Sequence, residues 1–94
     1  MSRERAVRVR IEGKVQNVWY RAWTTEEATR RGLCGWVRNR TDGTVEALFI
    51  GAAGAVAAMI EACRAGPPAA HVTNIVEYPA QDDGSENFRQ IATE

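Results

Sequence analysis

The sequence predicts an α+β sandwich of ferredoxin-like order, β-α-β-β-α-β, with two helices on one face of a mostly antiparallel sheet and a short C-terminal strand. Three observations predict it. Val7-Arg8-Val9-Arg10-Ile11-Glu12 alternates apolar and charged residues without a break, as a half-buried strand does. Val56, Met59, Ile60 and Cys63 recur at the spacing of one helix face. Between these two, Asp42-Gly43 separates a pair of strand-like runs, the signal of a hairpin turn.

Taken in order, the first strand covers Val7 to Glu12, and Gly13 opens a loop, Gly13-Lys14-Val15-Gln16-Asn17-Val18. From about Arg21 to Arg31 the residues favour a helix. Tyr20, Thr24 and Ala28 fall at helical spacing, and Gly32 is placed to stop the helix. Leu33 to Asn39 reads as the second strand and Thr44 to Ile50 as the third. In the third strand Val45, Ala47 and Phe49 share one face while Leu48 and Ile50 share the other, which predicts a central strand covered on both sides. Gly54 to Ala65 is the second helix, ended by Gly66-Pro67-Pro68. His71 to Tyr78, rich in β-branched residues, is the fourth strand and Pro79 closes it. A polar turn at Gln81 to Ser85 leads to the short last strand, Asn87 to Ala92.

Length and composition narrow the classes. The 94 residues make one domain, 1–94, near the lower end of sizes that build an adequate core. An apolar fraction of 45% excludes a disordered chain. No apolar run approaches the roughly 20 residues that span a bilayer. Met1-Ser2-Arg3-Glu4-Arg5 carries no hydrophobic signal core. The expectation is a soluble, cytoplasmic monomer without membrane contact. Cys34 and Cys63 lie among apolar neighbours and read as small buried hydrophobes, in preference to a disulfide or a reactive thiol. Acidic and basic residues balance at twelve each, so the basic excess of a dedicated nucleic-acid binder is missing.

Two segments carry candidate chemistry. In Gly13-Lys14-Val15-Gln16-Asn17-Val18-Trp19-Tyr20-Arg21 a strand ends, a tight loop follows and a helix begins near Arg21. The first N–H groups of a helix lack internal acceptors, and the helix dipole adds partial positive charge there. Successive loop N–H groups can form an anion nest. A guanidinium at the helix start adds a full charge and a two-pronged donor, so the whole can cradle a phosphate without a metal. In the second segment, Gly35 to Val45, Asn39 ends a strand just before the hairpin. Its carboxamide has both donor and acceptor, so it can hold a water while touching a phosphoryl oxygen. In the predicted topology the first and second strands run the same way, with the third between them. Two strand spacings, roughly 10 Å, then separate the loop from Asn39 along one sheet edge.

The first segment resembles the acylphosphatase signature G-x-V-Q-G-V-x-[FY]-R. The second resembles the same family's G-[FYW]-V-x-N-x-x-x-G-x-V-x-x-x-x-x-G, which ends here at Gly51. Together they cover Gly13 to Gly51 in the family's order and separation. The resemblance implies hydrolysis of the carboxyl–phosphate bond of acyl phosphates to carboxylate and inorganic phosphate, with no cofactor and no metal. It implies that Arg21 and backbone N–H groups of Val15, Gln16, Asn17, Val18, Trp19 and Tyr20 bind the phosphate. It implies that Asn39 orients the attacking water and that Thr44 stands behind Asn39 at one remove from substrate. One position departs: Asn17 stands where the family usually has glycine. Where φ must be positive, asparagine is the least costly replacement after glycine.

The sparse machinery suits the substrate. No cysteine or serine sits in a nucleophile signature, and His71, the one histidine, reads as a partly exposed strand residue. A carboxylate leaves without being protonated, so no general acid is needed. Phosphoryl transfer through a loose transition state asks mainly for charge stabilisation and alignment. Of the tryptophans, Trp23 and Trp36 read as packing residues, while Trp19 borders either the phosphate loop or the acyl group. Lys14 and Arg38 read as solvated charge in preference to a field near the site. The competing reading is an RNA-binding module using Arg8, Arg10, Arg38 and Arg40 on the open sheet face. Against it, Thr44 to Ile50 lacks the glycine–aromatic run of such modules. A third reading is an acylphosphatase-like domain inactivated at Asn17.

Overall fold

The computed structural model describes residues 3–94. Its elements are β1 (Arg5–Lys14), α1 (Tyr20–Arg30), β2 (Cys34–Asn39), β3 (Val45–Gly51), α2 (Ala53–Cys63), β4 (His71–Pro79) and β5 (Phe88–Gln90). The strands form one sheet in the order β4-β1-β3-β2-β5. β1 and β2 are both antiparallel to β3, so they run the same way on either side of it. β5 adds parallel to β2, with Gln90 opposite Val37.

The alternation of β1 does what its period demands. Val7, Val9 and Ile11 are buried under the helices, in the same core as Val56, Met59, Ile60 and Cys63 of α2. β3 is buried along its whole length. Its Val45, Ala47 and Phe49 join the helix-side core, while Leu48 and Ile50 pack with Cys34 and Trp36 on the far side. On α1 the buried residues are Tyr20, Thr24 and Ala28. Thr24 can be buried because its hydroxyl donates to the Tyr20 carbonyl at 2.8 Å. Gly32, at φ 72°, follows the last turn of α1 in the left-handed conformation that ends many helices. Both cysteines are free and buried, and burial pushes the Cys63 thiol up to about 12.

The far sheet face carries the arginines. Arg8, Arg38 and Arg40 converge on the buried carboxylate of Glu46, at 2.9, 2.7 and 3.3 Å. Burial alone would raise this carboxyl. The hydrogen bond and charge of Arg38, helped by Arg8 and Arg40, outweigh that and hold it below its ordinary value. Arg10 pairs with Glu12. All four arginines that could have served an RNA-binding face therefore have carboxylate partners.

Element ends differ from expectation by a residue or two, for local reasons. α1 starts at Tyr20 because the Trp23 N–H already reaches the Trp19 carbonyl, at 3.0 Å. β1 runs on to Lys14 through a bulge at Glu12/Gly13 in its pairing with β4. Gly13 is at φ 121° there, and a Cβ on it would lie 2.2 Å from the His71 carbonyl oxygen. Only glycine lets β4 lie that close while the chain turns toward the helix.

Candidate active site

The parallel run of β1 and β2 brings their C-terminal ends to one edge of the sheet, next to the start of α1. A cavity of about 500 Å³ opens there, lined by Val15, Asn17, Trp19, Tyr20, Arg21, Ala22, Asn39 and Gln90. Arg21 and Asn39, far apart in sequence, thus face the same space. That volume lies within the usual range of a small-molecule site.

The lining is cationic and has no counter-charge. Most arginines of the chain are held in ion pairs, but the Arg21 guanidinium has no carboxylate partner among the described residues. No acidic residue lines the cavity. The first turn of α1 also lacks acidic residues, so its dipole is not offset locally. Among the described residues, no backbone acceptor takes the N–H groups of residues 16–22. These donors lie where a chain turns from strand to helix, the setting in which backbone amides bind anions.

Two residues of that turn have positive φ: Asn17 at 61° and Trp19 at 67°. Asn17 therefore occupies the left-handed region, and asparagine tolerates it better than any other side-chain-bearing residue. Glycine would enter the same left-handed region freely. Trp19 is less expected. It caps α1 in the left-handed conformation, makes no side-chain capping bond and is 81% exposed.

Asn39 is the last residue of β2, on the side that faces the helices, as is buried Val37 two residues earlier. Its Oδ1 is buried and meets no donor. A buried carboxamide oxygen without a partner costs about 1–3 kcal/mol and calls for an explanation. Asn39 lines the cavity, and rotation of its carboxamide would present that oxygen to a bound water.

The Gln16 side chain does something its sequence position did not announce. Its Nε2 donates to the carbonyls of Arg40 and Thr44, at 2.8 and 2.9 Å. The Arg40–Thr44 turn directly follows Asn39, so one carboxamide ties the anion loop to the hairpin that ends in the water-binding candidate. Thr44 takes part through its carbonyl. Its hydroxyl donates to Asp42 at 2.7 Å, within the turn, and Thr44 does not line the cavity. For Gln16→Ala we expect kcat/KM for an acyl phosphate to fall about tenfold, as loop and hairpin lose register. The fold should lose about 1–2 kcal/mol for two lost side-chain hydrogen bonds, the carbonyls each keeping a backbone N–H from the turn. Steady-state kinetics and thermal melting check both.

Tyr20 lines the cavity but turns its hydroxyl away, donating to the Cys63 carbonyl at 2.6 Å. Burial, with Cys63 beside it, drives its pKa far above the usual phenol range, so it is no proton donor or acceptor at neutral pH. The lining contains no carboxylate, imidazole, thiol or amine. Gln90, brought in by β5, was not foreseen. The short last strand gives no periodic signal of which side chain faces the site. His71 is exposed on β4 and outside the lining.

Comparison with known proteins agrees with this fold. The acylphosphatase family model matches residues 7–90. An acylphosphatase of Rhodospirillum rubrum is 57% identical over 82 residues, covering 87% of this chain and 90% of its own. One from Rhizorhabdus wittichii is 56% identical over 88 residues, covering 94% and 89%. Among solved structures, the acylphosphatase from Bacillus subtilis superposes with a TM-score of 0.88 at 36% identity, over 92% of this chain and 97% of its own. That from Coxiella burnetii gives 0.89 at 30% identity, over 93% and 92%. On the family match, the identities and the shared topology, the chain belongs to the acylphosphatase family, enzymes that hydrolyse acyl phosphates.

Proposed function

We infer that this chain hydrolyses acyl phosphates by attack of a water held at Asn39 on a phosphoryl group held at Arg21. One observation carries the reading. The unpaired guanidinium of Arg21 and the residue Asn39, whose carboxamide oxygen has no protein donor, line one cavity that contains no acid.

The phosphate sits against the loop, taking N–H bonds from Val15, Gln16, Asn17, Val18, Trp19 and Tyr20 and a two-pronged contact from Arg21. With its carboxamide turned to the cavity, Asn39 Oδ1 accepts a hydrogen bond from the water, which points the water's lone pair at phosphorus, and its Nδ2 donates to a phosphoryl oxygen. The P–O bond to the acyl group breaks as the water's bond to phosphorus forms, and one water proton passes to a phosphoryl oxygen, so the product leaves as dihydrogen phosphate. The carboxylate leaves with the electron pair and needs no proton, consistent with a lining that offers no general acid. Charge on the transferring group stays matched by Arg21, the loop amides and the start of α1 throughout. The lining's oxygen donors are amide carbonyls alone, a poor set for a divalent cation. No metal or other cofactor enters this scheme, and Thr44 acts only through Gln16.

We extend the reading to residues 1–94 as a single acylphosphatase-like domain that works as a monomer in the cytoplasm on small acyl phosphates, with no nucleic-acid or membrane partner. Free buried thiols suit a reducing compartment. Trp19 is the one exposed large hydrophobic side chain among the described residues, too little apolar surface for a stable interface.

Hydrolysis of benzoyl phosphate tests the reaction. Turnover should be saturable, competitively inhibited by inorganic phosphate, and equal with and without EDTA. An inert, folded sample would refute the activity, and loss of turnover in EDTA would refute the metal-free scheme.

A further inference from the structure

Trp19 has no structural reason to be tryptophan. It is 81% exposed and lies outside both packed cores. Its left-handed backbone, φ 67° and ψ 20°, is a region that bulky side chains enter at a cost, while glycine would make the same turn freely. Strain of this kind is kept where function requires the side chain.

Its position supplies the function. Trp19 precedes Arg21 by two residues and lines the same cavity as Arg21 and Asn39. With Val15 and Ala22 it gives that cavity an apolar side beside its cationic one. At about 500 Å³ the space exceeds what a phosphoryl group fills. Once phosphate is fixed at Arg21 and the loop, the acyl carbon lies one bridging oxygen away, and the rest of the substrate must occupy the remaining volume.

We propose that Trp19 is a specificity-determining residue, whose indole forms the wall on which the acyl group rests and favours flat, apolar acyl groups over short ones. The inference builds on the cavity as the acyl-phosphate site. Indole and aryl faces attract beyond their burial of area, and the contact adds nothing for a group as small as acetyl.

The test is the ratio of kcat/KM for benzoyl phosphate to that for acetyl phosphate in the wild type, Trp19→Ala, Trp19→Phe and Trp19→Gly. The ratio should fall about tenfold in Trp19→Ala, the effect of one apolar contact in a pocket. The fall should appear mainly in KM, and Trp19→Phe should restore most of the ratio. Trp19→Gly should lose the ratio while melting at a higher temperature, separating substrate contact from backbone strain. An unchanged ratio in Trp19→Ala overturns the assignment, as does an equal fall for both substrates, which would make Trp19 a loop-positioning residue only. A wild type inert toward both substrates overturns the proposed function beneath it instead.

Discussion

Arg21→Ala should lose about a thousandfold in kcat/KM for benzoyl phosphate, and inorganic phosphate should inhibit it far more weakly. Removing one donor that meets transition-state charge costs on the order of 3 kcal/mol, and Arg21 supplies the only formal charge in the lining. Both binding and rate should suffer, because the guanidinium meets phosphoryl oxygens in the ground state and more strongly as charge spreads over them. Arg21→Lys should recover only part of the loss, since an ammonium keeps the charge but not the two-pronged geometry. The melting temperature should stay unchanged, because the guanidinium has no carboxylate partner in the fold among the described residues. Kinetics paired with thermal melting reads all three statements. A large fall in stability would place Arg21 in the structure instead.

Asn39→Ala should separate the two halves of the site. Turnover should fall about a hundredfold, the order of loss when a reacting group is misplaced by an ångström. The inhibition constant of inorganic phosphate should stay within about threefold of wild type, because Arg21 and the loop amides remain. Stability should hold or rise, since the substitution removes a buried acceptor that no protein donor satisfies. A residue kept at a cost in stability and needed for rate is the pattern expected of a functional group. Full turnover in Asn39→Ala would end the water-holding role.

The sequence carried the scaffold well wherever a period was long and clean. β1 and α2 each present one apolar face, and those faces are the core. α1 was harder, because its buried stripe is Tyr20, Thr24 and Ala28, two of them not strongly apolar. Its stop at Gly32 was the clearer signal. For the site, Arg21 and Asn39 are visible because strand–loop–helix and strand–hairpin junctions mark places where backbone donors and side chains converge. Gln16 was seen as part of the loop but not for what its side chain does. A hydrogen bond to carbonyls 24 and 28 residues away leaves no trace in local pattern. Gln90 enters only through the parallel pairing of β5 with β2, a tertiary fact. The left-handed turn at Trp19 runs against residue preference, so reading by preference passes over it.

The most direct measurement is where the attacking oxygen ends up. Benzoyl phosphate can be hydrolysed by the enzyme in water enriched in the heavy oxygen isotope, and both products analysed by mass. Attack on phosphorus by a water held at Asn39 predicts the label in inorganic phosphate and none in benzoate. Label in benzoate would mean attack at the carbonyl carbon, with the phosphate as leaving group, and would contradict the roles given to Arg21 and Asn39.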